Sequence, residues 1–187
     1  AQPYVVRTYL APERDPADQE TAAALTILAE LLGGSSQTSV MGRKLQFDEG
    51  TALFTSAFYS GLSVDDGSFG LLVVPSPGRT LEEAEADMDR IIAEFMQEGV
   101  DAEQLERIKM QIRAATIYEQ DSSQSRARSY GMALTVGLSL DDIHDWPDLL
   151  QAVTAEDVMA AAERVFDRRK AVTGWLMQPQ TAAEVTQ

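Results

Sequence analysis

Residues 31–54 read LLGGSSQTSVMGRKLQFDEGTALF, and the interpretation of the whole chain starts from this stretch. Gly33 and Gly34 are expected to end a helix, because glycine is the residue that most often terminates one. Residues 40–47 predict a short second helix, and a strand is expected to open at Gly50. The stretch therefore predicts a helix, a polar turn, a short helix and a strand in that order.

Upstream of this stretch, the sequence predicts one strand and one long helix. Residues 4–10 are aromatic and β-branched, as is typical of a strand. Asp15 and Pro16 predict the start of the helix, as its N-cap and as a proline at the first helical position. Apolar residues then recur at helical spacing: Ala24, Leu25, Leu28, Leu31 and Leu32.

Downstream, residues 51–59 and 67–74 predict two strands that turn-forming residues join as a hairpin. A series of helices follows, with starts predicted at or next to Thr80, Asp101, Ser125, Ser139 and Thr154. Pro147 is expected to cut or bend the helix that begins after Ser139, because proline cannot complete the helical hydrogen bonds. Residues 171–177 predict the last strand.

The predicted order of elements is β-α-α-β-β-α-α-α-α-α-β. Strands and helices do not alternate strictly, so a doubly wound or barrel fold is excluded. We predict an α+β fold, with one mostly antiparallel or mixed sheet of about four or more strands and helices packed on one face. Residues 1–179 are expected to form a single domain, and residues 180–187 a loose C-terminal tail.

Composition excludes several classes of function. The chain has 187 residues with 30 acidic and 15 basic side chains, a formal charge of −15. Such a charge repels phosphate backbones and anionic lipids, so we expect neither a nucleic-acid nor a membrane partner. The absence of cysteine excludes disulfides, thiolate metal sites and a cysteine nucleophile. The opening AQPYVV lacks Met and a signal-peptide pattern, so we expect a piece of a longer or processed protein.

Candidate catalytic residues are few. The one histidine, His144, cannot supply the two histidines of the zinc motif H-x-x-E-H. No G-x-S-x-G precedes it for a Ser-His-Asp triad, and we expect it to lie in a solvated helix start. The turn that begins at Gly33 lacks the lysine of a phosphate-binding loop.

Two further clusters of polar residues are interpreted as structural. Arg126, Arg128 and Tyr130 are expected to pack or to form a surface ion pair. A group of carboxylates is expected to form a solvated helix face, because nothing in the sequence separates their pKa values: Glu82, Glu83, Glu85, Asp87 and Asp89.

Residues 45–53 read LQFDEGTAL and resemble the frame L-R-E-x-x-G-x-x-Y of zinc peptidases of the insulinase/pitrilysin family. The strand ending in Ala11-Pro12, the Leu-Leu-Gly-Gly helix end and the VTAED sequence at residues 153–157 fit the same pattern. The chain resembles the C-terminal, non-zinc-binding domain of the mitochondrial-processing-peptidase-like members. Gly50 matches the frame, whereas Gln46 stands where arginine is expected and Leu53 where tyrosine is expected.

The resemblance implies how such a domain works. In these families the zinc ligands lie in the N-terminal half, and the Arg/Tyr pair of a facing domain holds the substrate carbonyl. Gln46 can donate only a neutral hydrogen bond, and Leu53 lacks a hydroxyl and is expected to pack in the sheet. We therefore expect this chain to hold no zinc and to be inactive alone, with zinc in the missing N-terminal half. Its expected partners are that half, a homologous subunit and peptide substrates.

Two alternatives remain open. The protein could be a wholly non-catalytic scaffold, like the core subunits of respiratory complexes that share this fold. It could also be an unrelated α+β binding domain. The resemblance favours a bacterial cell envelope or periplasm over the cytoplasm.

Overall fold

The computed structural model describes residues 2–16, 18–120 and 122–178. The elements follow the predicted order: β1 (Tyr4–Ala11), α1 (Glu20–Gly33), a π-helical segment (Gly42–Asp48), β2 (Ala52–Ser60), β3 (Gly67–Pro75), α2 (Leu81–Glu98), α3 (Ala102–Gln120), α4 (Ser123–Thr135), α5 (Leu140–Ala152), α6 (Ala155–Val165), a 3-10 turn (Arg168–Lys170) and β4 (Ala171–Leu176). The predicted loose tail lies outside the described residues.

The four strands form one antiparallel sheet in the order β2-β3-β1-β4. Tyr9 of β1 lies opposite Phe69 of β3, and Arg7 of β1 lies opposite Thr173 of β4. Along β1, residues alternate between buried and more accessible positions, so one face of the sheet is covered. Helices α1, α2 and α6 contact the sheet on that face. The predicted α+β class, with helices on one face of the sheet, is confirmed.

Helix α1 lies at the centre of the core. It is apolar around most of its circumference, and a helix of that kind is stable only when it is enclosed. It contacts β2 on one side and α3, α5 and α6 on the other. At its end, Gly33 approaches β2 so closely that an added Cβ would lie 2.0 Å from the backbone nitrogen of Ala57. The absence of a side chain therefore allows this helix to lie directly against the strand.

Three predicted helix starts carry complete capping boxes. Thr80, Ser139 and Thr154 each accept a hydrogen bond from the backbone N–H three residues later, and the acidic residue there accepts one in return. These reciprocal bonds satisfy N–H groups that have no partner within the helix.

Two predicted details of the helices are wrong or incomplete. Helix α1 begins at Glu20 rather than after Asp15 and Pro16, and its N-cap residue Gln19 makes no side-chain capping bond. The Gln19 amide instead donates to the backbone carbonyl of Asp142 in α5 at 3.2 Å, so a tertiary contact shapes this helix start. Helix α5 is not cut at Pro147 and continues to Ala152. Buried Leu150, which follows the proline, packs in the core and holds the last turn.

The other face of the sheet is open and apolar. Phe58 lies over Gly70 of the neighbouring strand, where an added Cβ would lie 2.0 Å from the Phe58 ring. The strand register places five large apolar side chains on this open sheet face, each at least about one third exposed: Leu10, Phe54, Phe58, Val172 and Leu176. Antiparallel sheets commonly present polar side chains to solvent, so this face differs from an ordinary solvated one.

Candidate functional site

The segment that holds Gln46 is π-helical. Its backbone bonds include Glu49 N–H to the Lys44 carbonyl at 3.0 Å and Thr51 N–H to the Leu45 carbonyl at 2.8 Å. Leu45 is fully buried and anchors the segment in the core. Gly50 follows with a φ of +65°, a conformation that glycine adopts without strain. Short π-helical segments occur frequently at functional sites, and Gln46 lies within this one.

The side chain of Gln46 is engaged within its own domain. Its Nε2 donates to the Oγ1 of Thr55 at 2.7 Å. Thr55 is buried and lies on the helix-covered face of β2. The Gln46 amide therefore links the π-helical segment to β2.

Leu53 lies at an irregularity of β2. Ala52 pairs with Pro75 and Phe54 pairs with Val74, so Leu53 is an extra residue without a partner across the ladder. Such a bulge changes the direction of the side chain it contains. The Leu53 side chain is 48% exposed. Leu53 thus lies within β2, as expected, but the bulge removes it from the alternation of the strand and leaves it half exposed.

A cavity of about 490 Å³ adjoins Leu53 at one end of the strands. Its lining includes the connection from β3 to α2, which contains Arg79, together with Pro3 before β1 and Met177 after β4. Gln46 does not line this cavity. Gln46 and Leu53 therefore face different surroundings.

Arg79 is a charged residue in the lining of this cavity. Its Nη2 donates to Asp87 at 2.6 Å. Its Nε is buried and has no hydrogen-bond partner within the described ranges of the chain. A guanidinium thus lies at the same cavity as Leu53. No sequence motif predicted this, because Arg79 lies outside residues 45–53.

Ion pairs attach the π-helical segment to α2. Lys44 Nζ lies 2.7 Å from Glu94 and 3.1 Å from Glu98, and Arg90 lies 2.6 Å from Glu49. The hydrogen bond from Lys44, followed by that from Arg90, holds the pKa of Glu94 below its usual value. These pairs are partly exposed, so each contributes little to stability while fixing where the segment lies.

The acidic face of α2 is not simply solvated, which corrects the expectation for its carboxylates. Glu85 and Asp89 both accept hydrogen bonds from Arg7 of β1, and Arg7 is fully buried. Glu83 accepts a bond from the backbone of Thr80 within the capping box. The expectation failed because the cation comes from a strand more than seventy residues earlier in the sequence.

His144 lies on α5 and is exposed, as expected for the helix start. Its Nε2 lies 3.1 Å from the hydroxyl of Tyr130 in α4, and the two rings meet edge to face. Arg126 and Arg128, which lie on α4 with Tyr130, form no ion pair with another described residue. Arg126, Tyr130 and His144 line a second cavity, of about 800 Å³, whereas Arg128 does not.

The described residues of this chain do not fit a zinc centre. Zinc in proteins is held by three or four converging nitrogen, sulfur or carboxylate ligands. In residues 2–16, 18–120 and 122–178, no group of three or more histidine, cysteine or acidic side chains is arranged to hold a metal ion. His144 is bonded to a tyrosine rather than to a carboxylate. Within the same ranges, no helix is long and apolar enough to cross a bilayer.

Comparison with known proteins identifies a family by sequence. The profile of the peptidase M16 inactive domain matches residues 1–112. A search of curated protein sequences gives no significant match.

Solved structures share the fold at low sequence identity. A protease from Helicobacter pylori is 19% identical with a TM-score of 0.84, covering 95% of this chain and 41% of that chain. A putative zinc protease from Bordetella pertussis Tohama I is 17% identical with a TM-score of 0.82, covering 96% of both chains. A chain of Complex III2 from Candida albicans, with Inz-5 bound, is 12% identical with a TM-score of 0.71, covering 94% and 43%. The chain thus spans about two fifths of two of these relatives and nearly all of the third.

Proposed function

The chain belongs to the peptidase M16 inactive-domain family, and from this premise we propose that it is the non-catalytic C-terminal domain of a zinc metallopeptidase subunit. In this role it helps to shape a peptide chamber, and it packs against a zinc-bearing N-terminal half and a homologous partner subunit. The family match also removes the alternative of an unrelated α+β binding domain.

The open sheet face is the observation that carries this proposal. Phe54 is 50% exposed and Phe58 is 42% exposed, whereas the opposite face of the neighbouring strand β3 is buried beneath helices. Contiguous exposed apolar side chains mark protein interfaces, because their burial against a partner removes apolar surface from water. We propose that the zinc-bearing half packs on this face.

The side chains of Gln46 and Leu53 support a proposal that zinc and the substrate-binding Arg/Tyr pair lie on different subunits. Gln46 donates to Thr55 of its own domain, and Leu53 has no hydroxyl to offer a substrate carbonyl. The partner subunit is therefore proposed to supply the arginine and tyrosine that stabilise the developing oxyanion. This assignment places zinc in the same polypeptide as this domain and the clamp in the partner.

The proposal is tested with the full-length protein and its homologous partner. Zinc content and EDTA-sensitive cleavage of a fluorogenic peptide mixture are measured for each protein alone and for the two combined. We expect bound zinc in the full-length protein and cleavage only in the mixture. An upstream half without H-x-x-E-H, or a full-length protein without zinc, contradicts the proposal.

The docking surface is tested separately by substitution. Phe58→Asp places a charge on the open sheet face, and we expect it to abolish association of this domain with a separately produced N-terminal half. Val64→Asp is the matched control, because Val64 is 82% exposed in the loop between β2 and β3. Equal association of both variants would contradict a docking role for this face. Circular dichroism of each variant verifies folding.

A non-catalytic scaffold subunit is the second candidate. The structural similarity to a Complex III2 chain favours it, as does the loss of arginine and tyrosine at Gln46 and Leu53. The same measurements separate the two candidates, because a scaffold gives no cleavage in any combination. A periplasmic location remains a prediction, and fractionation of cells that produce the full-length protein would test it.

A further inference from the structure

The second cavity lies in the outer helical layer. It is lined by side chains of α3, α4 and α5 together with Arg14, which follows β1, and Leu62, which follows β2. Helix α1 separates this layer from the sheet, since α1 contacts β2 on one side and both α3 and α5 on the other. This cavity is therefore distinct from the cavity beside Leu53 and from the open sheet face. Its volume of about 800 Å³ lies within the range of small-molecule sites.

The charge of the lining is opposite to that of the protein. Arg14 and Arg126 line the cavity, and among the described residues no aspartate or glutamate does, although the chain as a whole carries a formal charge of −15. Asp142 acts on the charge of Arg14 from outside the lining, and its carboxylate also caps α5 at Ser139 and accepts a hydrogen bond from Gln19 Nε2 at 3.3 Å. An anion that enters the cavity thus meets two guanidinium groups, and no carboxylate of a described residue lines its walls.

Arg14 is held in place by the fold. Its Nη2 donates to the backbone carbonyl of Asp142 at 2.8 Å, and its guanidinium lies 3.8 Å from the ring centroid of Trp146. Burial lowers the pKa of Arg14 to about 10, so the group remains charged at neutral pH. Stacking on an aromatic ring and fixed hydrogen bonds keep this cation preorganised, which favours binding of an anion.

The rest of the lining is mostly apolar. Ile112, Met132 and Leu150 contribute aliphatic surface, and the Tyr130 hydroxyl adds a polar group next to His144. A fully hydrated ion such as phosphate would leave this apolar surface without contacts. A ligand that combines one negative charge with an apolar body would satisfy both parts of the lining.

We propose that this cavity binds a carboxylate attached to an apolar group, with Arg126 forming the ion pair at the accessible side. Arg14 adds a fixed positive charge, and Trp146, Ile112 and Leu150 contact the apolar body. Two sources share this chemistry: a free aliphatic acid, and the carboxyl terminus of a peptide with an apolar last residue.

Isothermal titration calorimetry of the full-length protein tests the proposal with matched probes. Decanoate is compared with decan-1-ol, and a pentapeptide that ends in phenylalanine is compared with its C-terminal amide. We expect the carboxylate of at least one pair to bind at least about tenfold more tightly than its neutral counterpart, as a charge-assisted hydrogen bond implies. Tighter binding of decanoate identifies a free acid as the source, and tighter binding of the peptide identifies a carboxyl terminus. Equal affinities within both pairs, or no binding of any probe, overturn the proposal.

Two pairs of variants locate the binding. Arg126→Ala is expected to weaken carboxylate binding by about tenfold. Arg128→Ala, on the same helix but outside the cavity, is expected to leave the affinity within about twofold. Equal effects of the two substitutions would overturn the assignment of Arg126.

The second pair fills the cavity instead of removing charge. Met132→Trp places a larger side chain in the lining and is expected to abolish binding of the carboxylate. Met110→Trp is its control, because Met110 is 71% exposed on α3 and does not line the cavity. Retained binding in the Met132 variant would overturn the proposal, whether or not the peptidase assembly is correct.

Discussion

Arg7 of β1 and Glu85 of α2 form an ion pair in which the Nη2–Oε1 distance is 2.7 Å. Arg7 also donates to Asp89 of the same helix and to the hydroxyl of Thr173 in β4 at 2.9 Å. The guanidinium is fully buried, whereas the Glu85 side chain is 20% exposed. Arg7 thus links β4 to α2, and the two carboxylates of α2 compensate its charge.

Replacing Arg7 is expected to destabilise the protein strongly. Arg7→Ala removes buried packing and leaves two partly exposed carboxylates with only the exposed Arg168 as a cation, so we expect a loss of about 3 kcal/mol in the free energy of unfolding. Arg168→Ala is the control, because Arg168 contacts the same two carboxylates from a side chain that is 57% exposed. Its loss is expected to be about 1 kcal/mol or less. Urea denaturation measures both, and losses of similar size would contradict the role assigned to Arg7.

Substitution of two glycines, Gly33 and Gly131, by alanine is expected to change stability in opposite directions. In Gly33→Ala the new methyl group would collide with the backbone at Ala57, and we expect a loss of about 1–3 kcal/mol or more. Gly131 lies in α4 with open space around its Cβ position. Gly131→Ala is expected to stabilise the protein by about 0.5–1 kcal/mol, because alanine favours the helix. Thermal unfolding of both variants gives the sign, and equal signs would contradict this assignment.

The hydrogen bond between Gln46 and Thr55 predicts a structural cost for altering the candidate site. Gln46→Ala leaves the buried Thr55 hydroxyl without this partner, so we expect a loss of about 1–3 kcal/mol. Gln97→Ala, at an exposed position of α2, is the control and is expected to change stability by about 0.5 kcal/mol or less. A double-mutant cycle with Thr55→Val measures the coupling, and a coupling energy near zero would show that the bond contributes nothing.

Tyr59 predicts a loss of stability at alkaline pH. Its hydroxyl donates to the Pro12 carbonyl at 2.6 Å, and burial, followed by the charge of Glu13, raises its pKa above the ordinary value of 10.0. Because the folded pKa exceeds the unfolded one, the contribution is complete below a pH of about 10 and is lost as pH rises further.

Denaturation at several alkaline pH values checks this expectation. The slope of stability against pH above a pH of about 10 should be smaller in Tyr59→Phe than in the wild type. Tyr118→Phe is the control, because Tyr118 is 77% exposed, and it should retain the wild-type slope. An unchanged slope in the Tyr59 variant would contradict the prediction.

The sequence alone determined the order of elements and most of their ends. Capping boxes at Thr80, Ser139 and Thr154, and the helix end near Gly33, involve residues that are neighbours in the chain, so their interactions are readable from spacing. The α+β class follows from that order. The sequence at residues 45–53, together with other short motifs in order along the chain, predicted the family.

Tertiary structure decided what lies beyond local spacing. The pairing of Arg7 with α2, the bulge at Leu53 and the delayed start of α1 depend on contacts between residues far apart in sequence. So does the cavity that brings Arg14 and Arg126 together from separate elements. Residue spacing encodes interactions within one helix or turn, whereas partners brought together by chain folding are fixed only when the sheet register and helix packing are known.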